Sequence, residues 1–209
     1  MATHRTAPEI LRLRQGPGTS YPIVDRLLQG TELDRITGPD ANNWLEVDAL
    51  LRGGRVRGWV MASYVKEMDE PKWLTIARQE LGVAEQPGAN HNQRIIEYHT
   101  KTGLQAGTDE VAWCSSFVNW CMDRTGIPGT RSAAARSWAT WGKPLDEPRP
   151  GCIVVFNRHD PNNPNAAHVA FFMRKRAPLV DVLGGNQSNS VRVSGYAMRD
   201  VLAYRWPNT

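Results

Sequence analysis

The spacing of apolar residues changes along this chain, and the change falls at a charged segment. Residues 9–66 form short apolar runs that Gly, Pro and Asn interrupt about every 8 to 12 residues, which is typical of a small β-rich domain. From residues 73 to 81 the apolar residues recur instead with the spacing of one helix face. The segment KEMDEPK, residues 66–72, separates the two patterns. We therefore expect two domains, at residues 1–66 and 71–209.

The first domain is predicted to be a small all-β barrel or sandwich, and the second an α+β domain. In the second domain helical patterns come first and β-branched runs afterwards, which favours helices packed on an antiparallel sheet. Glycines end the helical patterns, which lie at residues 71–82, 92–103, 113–126 and 132–142. The predicted strands lie at residues 152–156, 168–173, 179–185, 190–196 and 201–206.

Charge and cysteine content exclude several classes of function. The net charge is +4, and the basic residues are scattered, which argues against a nucleic-acid reader. The apolar runs are far shorter than the ~20 residues of a spanning helix, and the first residues lack the apolar core of a secretory signal. Three cysteines are too few for a disulfide framework, so we expect free thiols. No zinc-site spacing occurs, and we expect no metal or other cofactor.

Cys114 stands at the predicted start of a helix, where a reactive thiolate is stabilised. The positive end of the helix dipole and its free N–H groups lower the pKa of a thiol there. Asp109 and Glu110 lie just upstream and are expected to cap this helix, with contact to a substrate amine as the alternative. Trp113 is expected either to line a cleft or to pack in the core. For an isolated cysteine, a buried structural role is the alternative.

His168 follows a polar loop and begins a predicted strand, so its imidazole is expected to face Cys114 and take the thiol proton. A third group must fix the imidazole tautomer. Asn186 and Gln187 both follow the strand 179–185, and alternation of side chains means that only one of them should face the site. We favour Asn186, and we attribute a tight turn to the two glycines that precede it.

Four segments of the second domain, DEVAWCSSFVNWCM, PGCIVVF, AHVAFF and VLGGNQS, resemble the CHAP and NlpC-type superfamily of papain-like cysteine hydrolases. The order Cys114, His168, Asn186 is the order of nucleophile, base and orienting residue in that superfamily. The resemblance covers residues 71–207. It implies a papain-like fold and a peptidoglycan amidase or stem-peptide endopeptidase that needs no metal.

Two segments of the first domain, LRLRQGPGTSYPI and GRVRGWVMASYV, resemble the bacterial Src-homology-3-like family. The resemblance implies a barrel that binds peptidoglycan, often its peptide part, or that supports the enzyme. Flat aromatic side chains suit a groove for an extended peptide. Tyr21 and Tyr64 are our candidates for such a groove, whereas Trp44 and Trp59 are expected to pack in the core or between domains.

The predicted reaction starts from a Cys114 thiolate paired with a protonated His168, and the backbone N–H of Cys114 is expected to stabilise the oxyanion. The expected partner is the peptidoglycan stem peptide, and we expect a monomer that reaches the wall by phage-type lysis or specialised export. Two alternatives stay open. One is a non-catalytic wall-binding or phage structural protein, and the other is a cysteine peptidase with a substrate outside the wall.

Overall fold

The computed structural model describes residues 4–51, 53–67, 70–88 and 90–208. The chain forms two compact units, Met1–Asp69 and Glu70–Thr209. In the part of the chain that is described, no helix has the length and apolar character needed to cross a membrane.

The N-terminal unit is a seven-stranded antiparallel sheet, which confirms the predicted all-β character. Its strands are β1 (His4–Thr6), β2 (Ile10–Arg14), β3 (Ile23–Leu28), β4 (Glu32–Arg35), β5 (Trp44–Leu51), β6 (Gly54–Met61) and β7 (Val65–Glu67). Their order in the sheet is β3-β2-β6-β5-β4-β1-β7. A 3₁₀ helix, Ala62–Tyr64, joins β6 to β7.

Alternating leucine and valine side chains form the core of this unit. Leu13, Leu27, Leu33, Val47 and Val60 are all fully buried, and most of their neighbours along the strands are at least partly exposed. Burial of each such side chain contributes about 1.5–3 kcal/mol relative to its exposure. The core therefore follows from the period-2 pattern of the sequence.

The C-terminal unit has helices first and an antiparallel sheet afterwards, as predicted. Its helices are α1 (Lys72–Gln79), α2 (Gln93–His99) and α3 (Cys114–Asp123). Its strands are β8 (Lys143–Pro144), β9 (Ile153–Asn157), β10 (Ala167–Arg176), β11 (Leu179–Gly184), β12 (Arg192–Ala197) and β13 (Val201–Trp206). The sheet order is β12-β11-β10-β9-β13-β8.

The fourth predicted helix differs from the prediction, because residues Ala135–Thr140 form a 3₁₀ helix. Two side chains account for the tighter turn. The Ser137 hydroxyl donates to the Ala134 carbonyl at 2.7 Å, and so occupies an acceptor that an α-helical N–H would use. The Trp138 indole donates to the Ser115 hydroxyl at 2.9 Å, which anchors the segment to α3.

Helix α3 lies at the centre of the C-terminal unit. It packs against α1 and α2 as well as against β10 and β11. Nine of its ten residues, all except Asp123, are buried. A helix enclosed in this way holds its first residue, Cys114, in a fixed position relative to β10.

Candidate active site

Cys114 is the first residue of α3, and its side chain is 7% exposed. The backbone N–H groups of Cys114 and Ser115 are close enough to the sulfur to favour its thiolate, and they belong to the helix turn whose N–H groups have no partner within the helix. Cys114 therefore lies at the N-terminus of a helix, as its sequence position predicts. The remaining cysteines, Cys121 and Cys152, are fully buried in apolar surroundings.

His168 lies in β10, between β9 and β11, and is fully buried. Its register partner on β9 is Phe156. Its ring stacks on Tyr196 of β12, with ring centroids 4.9 Å apart and planes inclined by 15°. The imidazole is thus held by the sheet on its backbone side and by an aromatic ring on its face.

The side chain that contacts the His168 imidazole is that of Gln187, and not that of Asn186, which we favoured. The Gln187 Oε1 atom lies 3.1 Å from His168 Nε2, and Gln187 is 2% exposed. Asn186 is only half-buried, and its backbone is left-handed with φ of 54°. A left-handed residue breaks the alternation on which the choice rested, so the next side chain reaches the imidazole.

The orientation of the Gln187 amide fixes the tautomer of His168. The Gln187 Nε2 atom donates to the Arg192 carbonyl, so Oε1 is the atom left to accept. The facing His168 Nε2 must therefore carry the proton. His168 Nδ1 then has the lone pair, and among the described residues it has no hydrogen-bond partner. A base with a free nitrogen is available at this point of the fold.

Gly184 and Gly185, which precede Asn186, allow other segments to pack closely against them, and they do not form the tight turn that we expected. Neither Gly184 nor Gly185 has a positive φ. A Cβ at Gly185 would lie 2.4 Å from the Trp113 ring and 2.7 Å from Phe117 Cβ. The absence of a side chain therefore lets the end of β11 touch the start of α3, beside Cys114.

Two charged or polar groups outside α3 act on the Cys114 sulfur. The backbone N–H of Val169, the residue after His168, and the guanidinium of Arg158 both favour the thiolate. Burial opposes them and is the larger effect, so the pKa of the Cys114 thiol is raised.

Burial also lowers the pKa of His168 to about 4, against the smaller opposing effect of its bond to Gln187. The Arg158 charge lowers it further. Both shifts favour a protonated thiol and a neutral imidazole over the thiolate and imidazolium pair that we expected, because both groups lie away from water.

Asp109 does not cap α3, which has no side-chain cap. Its fully buried carboxylate accepts from the backbone N–H groups of Gln86 and Asn92, at 2.9 and 2.8 Å, and contacts His91 Nδ1 at 3.0 Å. Asn92 is the N-cap of α2. Asp109 therefore joins the start of α2 to the segment that precedes Cys114, and leaves no carboxylate oxygen for a substrate amine.

Trp113 packs in the core and does not line a cleft. It is fully buried, and its indole N–H donates to Glu85 Oε1 at 2.8 Å. Glu110 is exposed and remains open to solvent. Among the described residues, no three His, Cys, Asp or Glu side chains are grouped to hold a metal ion.

The N-terminal unit has a groove of about 530 Å³ that includes one of the two predicted tyrosines. The groove is lined by Pro8, Ile10, Leu11, Arg12, Arg14, Thr19, Trp44, Met61 and Tyr64. Tyr64 is 50% exposed there. Tyr21 lies outside this lining, and its ring packs on Gly16, where a Cβ would come within 2.5 Å of it. Trp44 is buried as predicted but also borders the groove.

Sequence reasoning missed Arg158 and Tyr196, which lie beside the catalytic candidates. Both come from positions that carry no motif, and only the successive pairing of β9, β10, β11 and β12 in one sheet brings them together. The pattern of strands alone contains no signal that would have selected them.

Comparison with known proteins identifies both units. Residues 10–66 match the family model for the bacterial SH3 domain, and residues 106–186 match the model for the CHAP domain. No curated protein matches the chain. Two solved structures, NlpC1 and NlpC2 from Trichomonas vaginalis, are each 13% identical to it and align with 98% of it. The alignments cover 69% and 72% of those chains, with TM-scores of 0.42 and 0.40. The two family models show the domain content: the chain combines a bacterial SH3 domain with a CHAP domain.

Proposed function

We propose that this protein is a cysteine-dependent amidohydrolase of the bacterial cell wall, with Cys114 as nucleophile, His168 as base and Gln187 as orienting residue. The CHAP match supports a peptidoglycan hydrolase at the level of the family. The observation that carries the assignment is the bond from His168 Nε2 to Gln187 Oε1, because it leaves the lone pair of Nδ1 available to a thiol.

The neutral ground state favours a concerted first step. As the substrate carbonyl approaches, His168 Nδ1 takes the Cys114 proton and the sulfur attacks the carbonyl carbon. The imidazolium formed is stabilised by Gln187 Oε1. The backbone N–H groups of Cys114 and Ser115 at the helix start are the donors that we assign to the oxyanion. His168 then protonates the leaving amine, and a water hydrolyses the thioester with the same base.

The SH3 domain is proposed to bind the peptide part of the wall through the groove that Tyr64 borders. The groove combines apolar side chains with two arginines, Arg12 and Arg14. Such a lining suits an extended peptide that carries carboxylates. Replacement of Tyr64 by Ala should weaken sedimentation with intact sacculi, whereas Tyr21→Ala should leave it within twofold of wild type.

The bond cleaved is either the amide between sugar and peptide or one within the stem peptide. Wild type, Cys114→Ala and the control Cys121→Ala are incubated with purified sacculi. New amino groups are counted, and the soluble fragments are identified by mass spectrometry. We expect release by wild type and Cys121→Ala and none by Cys114→Ala, and the fragment masses assign the bond.

Two results would contradict this function. Equal release by wild type and Cys114→Ala would exclude the thiol mechanism. If none of the variants releases amino groups but all still sediment with sacculi, the protein binds the wall without hydrolysing it.

A further inference from the structure

Arg158 follows the last residue of β9, on the strand that pairs with His168 of the candidate active site. Its backbone N–H donates to the Ala166 carbonyl at 3.2 Å, which continues the pairing of Asn157 with Ala167. Phe156 of β9 is the register partner of His168, and Arg158 follows that partner by two residues. Its side chain is exposed, although its backbone is held by the sheet.

The guanidinium of Arg158 affects the pKa values of three groups of the site. Its positive charge acts to lower the pKa of the Tyr196 hydroxyl, of the Cys114 thiol and of His168. Tyr196 is itself fixed, because its ring stacks on Phe156 at 4.7 Å and on His168 at 4.9 Å. The Arg158 guanidinium and the Tyr196 hydroxyl are therefore two donors, one charged and one neutral, in the surroundings of His168 and Cys114.

No carboxylate of this chain neutralises Arg158 within the described residues. The other arginines of the same sheet behave differently: Arg174 and Arg176 both pair with Asp181, at 2.7 and 2.9 Å. An arginine that is exposed at a thiol site and has no acidic partner has donors available to a ligand. Its planar group matches the two oxygens of a carboxylate.

We propose that Arg158 and Tyr196 bind a substrate carboxylate beside the scissile amide, so that the enzyme prefers wall peptides in which this carboxyl group is free over peptides in which it is amidated. This inference rests on the proposed hydrolase function. The guanidinium forms the ion pair, and the Tyr196 hydroxyl supplies a further hydrogen bond. Arg158 is thereby a specificity-determining residue.

The test compares two synthetic stem peptides that differ only in having free carboxyl groups or carboxamides. Turnover of both is measured for wild type, Arg158→Gln and Arg199→Gln. Arg199 is a matched control, because it removes one positive charge from the neighbouring 3₁₀ helix, Met198–Asp200, where its side chain is 89% exposed. We expect wild type to prefer the free acid, and Arg158→Gln to lose roughly 10- to 100-fold in kcat/KM on that peptide alone, mainly through KM.

Two outcomes overturn the inference. One is an unchanged preference in Arg158→Gln. The other is an equal loss on both peptides, which would mean that Arg158 acts on the thiol and not on the substrate. Calorimetric binding of the free-acid peptide to Cys114→Ala, with and without Arg158→Gln, separates the two proposals. Suppose that wild type cleaves neither peptide, but that Cys114→Ala binds the free-acid peptide and loses this binding when Arg158→Gln is added. That result would refute the hydrolase function and retain the carboxylate site.

Discussion

The buried, neutral state of His168 predicts a specific loss of stability in mild acid. In the folded protein burial lowers the pKa of His168 to about 4, whereas an unfolded histidine titrates near 6.5. Between these values the unfolded chain binds a proton that the folded chain does not. The free energy of unfolding therefore falls as pH falls from about 6.5 to 4. Since one pKa unit corresponds to 1.36 kcal/mol, His168 accounts for a loss of about 3 kcal/mol over this range.

The measurement is urea unfolding of wild type and His168→Gln, followed by tryptophan fluorescence at intervals between pH 7 and pH 4. The variant is needed because burial also lowers the pKa of His4 and of His99. Subtracting the two curves removes contributions common to both proteins. We expect the advantage of wild type over the variant to shrink by about 3 kcal/mol across this range. A difference that stays constant with pH would refute the claim that burial keeps His168 neutral.

Three further predictions concern positions around the same site. Gln187→Ala should reduce kcat roughly 100-fold, at the lower end of what a positioned base contributes, while Asn186→Ala should stay within a few-fold of wild type in the sacculus assay. Asp109→Asn should lower the free energy of unfolding by about 2–3 kcal/mol, because a fully buried carboxylate that accepts from two backbone N–H groups is lost. An unchanged urea midpoint would count against this role. Gly185→Ala should cost about 1–3 kcal/mol through overpacking against the indole beside it, whereas Gly107→Ala, with open space around its Cβ, should be near neutral in thermal unfolding.

The sequence predicts the strands and most helices because their signals are local. The interrupted apolar runs of the N-terminal unit become strands, and the β-branched runs of the C-terminal unit, such as Ile153–Asn157, become strands whose bounds lie within three residues of the prediction. The position of Cys114 at a helix start follows from the same kind of local pattern. The segment Ala135–Thr140 has a helical composition, but a serine hydroxyl and the anchoring of Trp138 to α3 decide its 3₁₀ form.

Contacts between distant segments decide what the sequence could not predict. The choice of Gln187 over Asn186 depends on one left-handed residue after β11. The role of Asp109 depends on a loop about twenty residues earlier in the chain. The neutral thiol depends on how completely Cys114 and His168 are enclosed, and enclosure is a property of the packed unit.

The placement of His168 in β10, an interior strand of its sheet, determines when the site can be lost. His168 pairs with Phe156 of β9, and strand β10 as a whole lies between β9 and β11, in the part of the sheet where amide hydrogens exchange most slowly. Gln187 lies instead in a short turn, where its backbone N–H donates to the Ser190 carbonyl at 3.0 Å. Fraying of that turn would release the imidazole from its orienting amide while the base itself stays in position. Activity in this protein should therefore decline, on heating or in denaturant, before the protection of the β10 amides does.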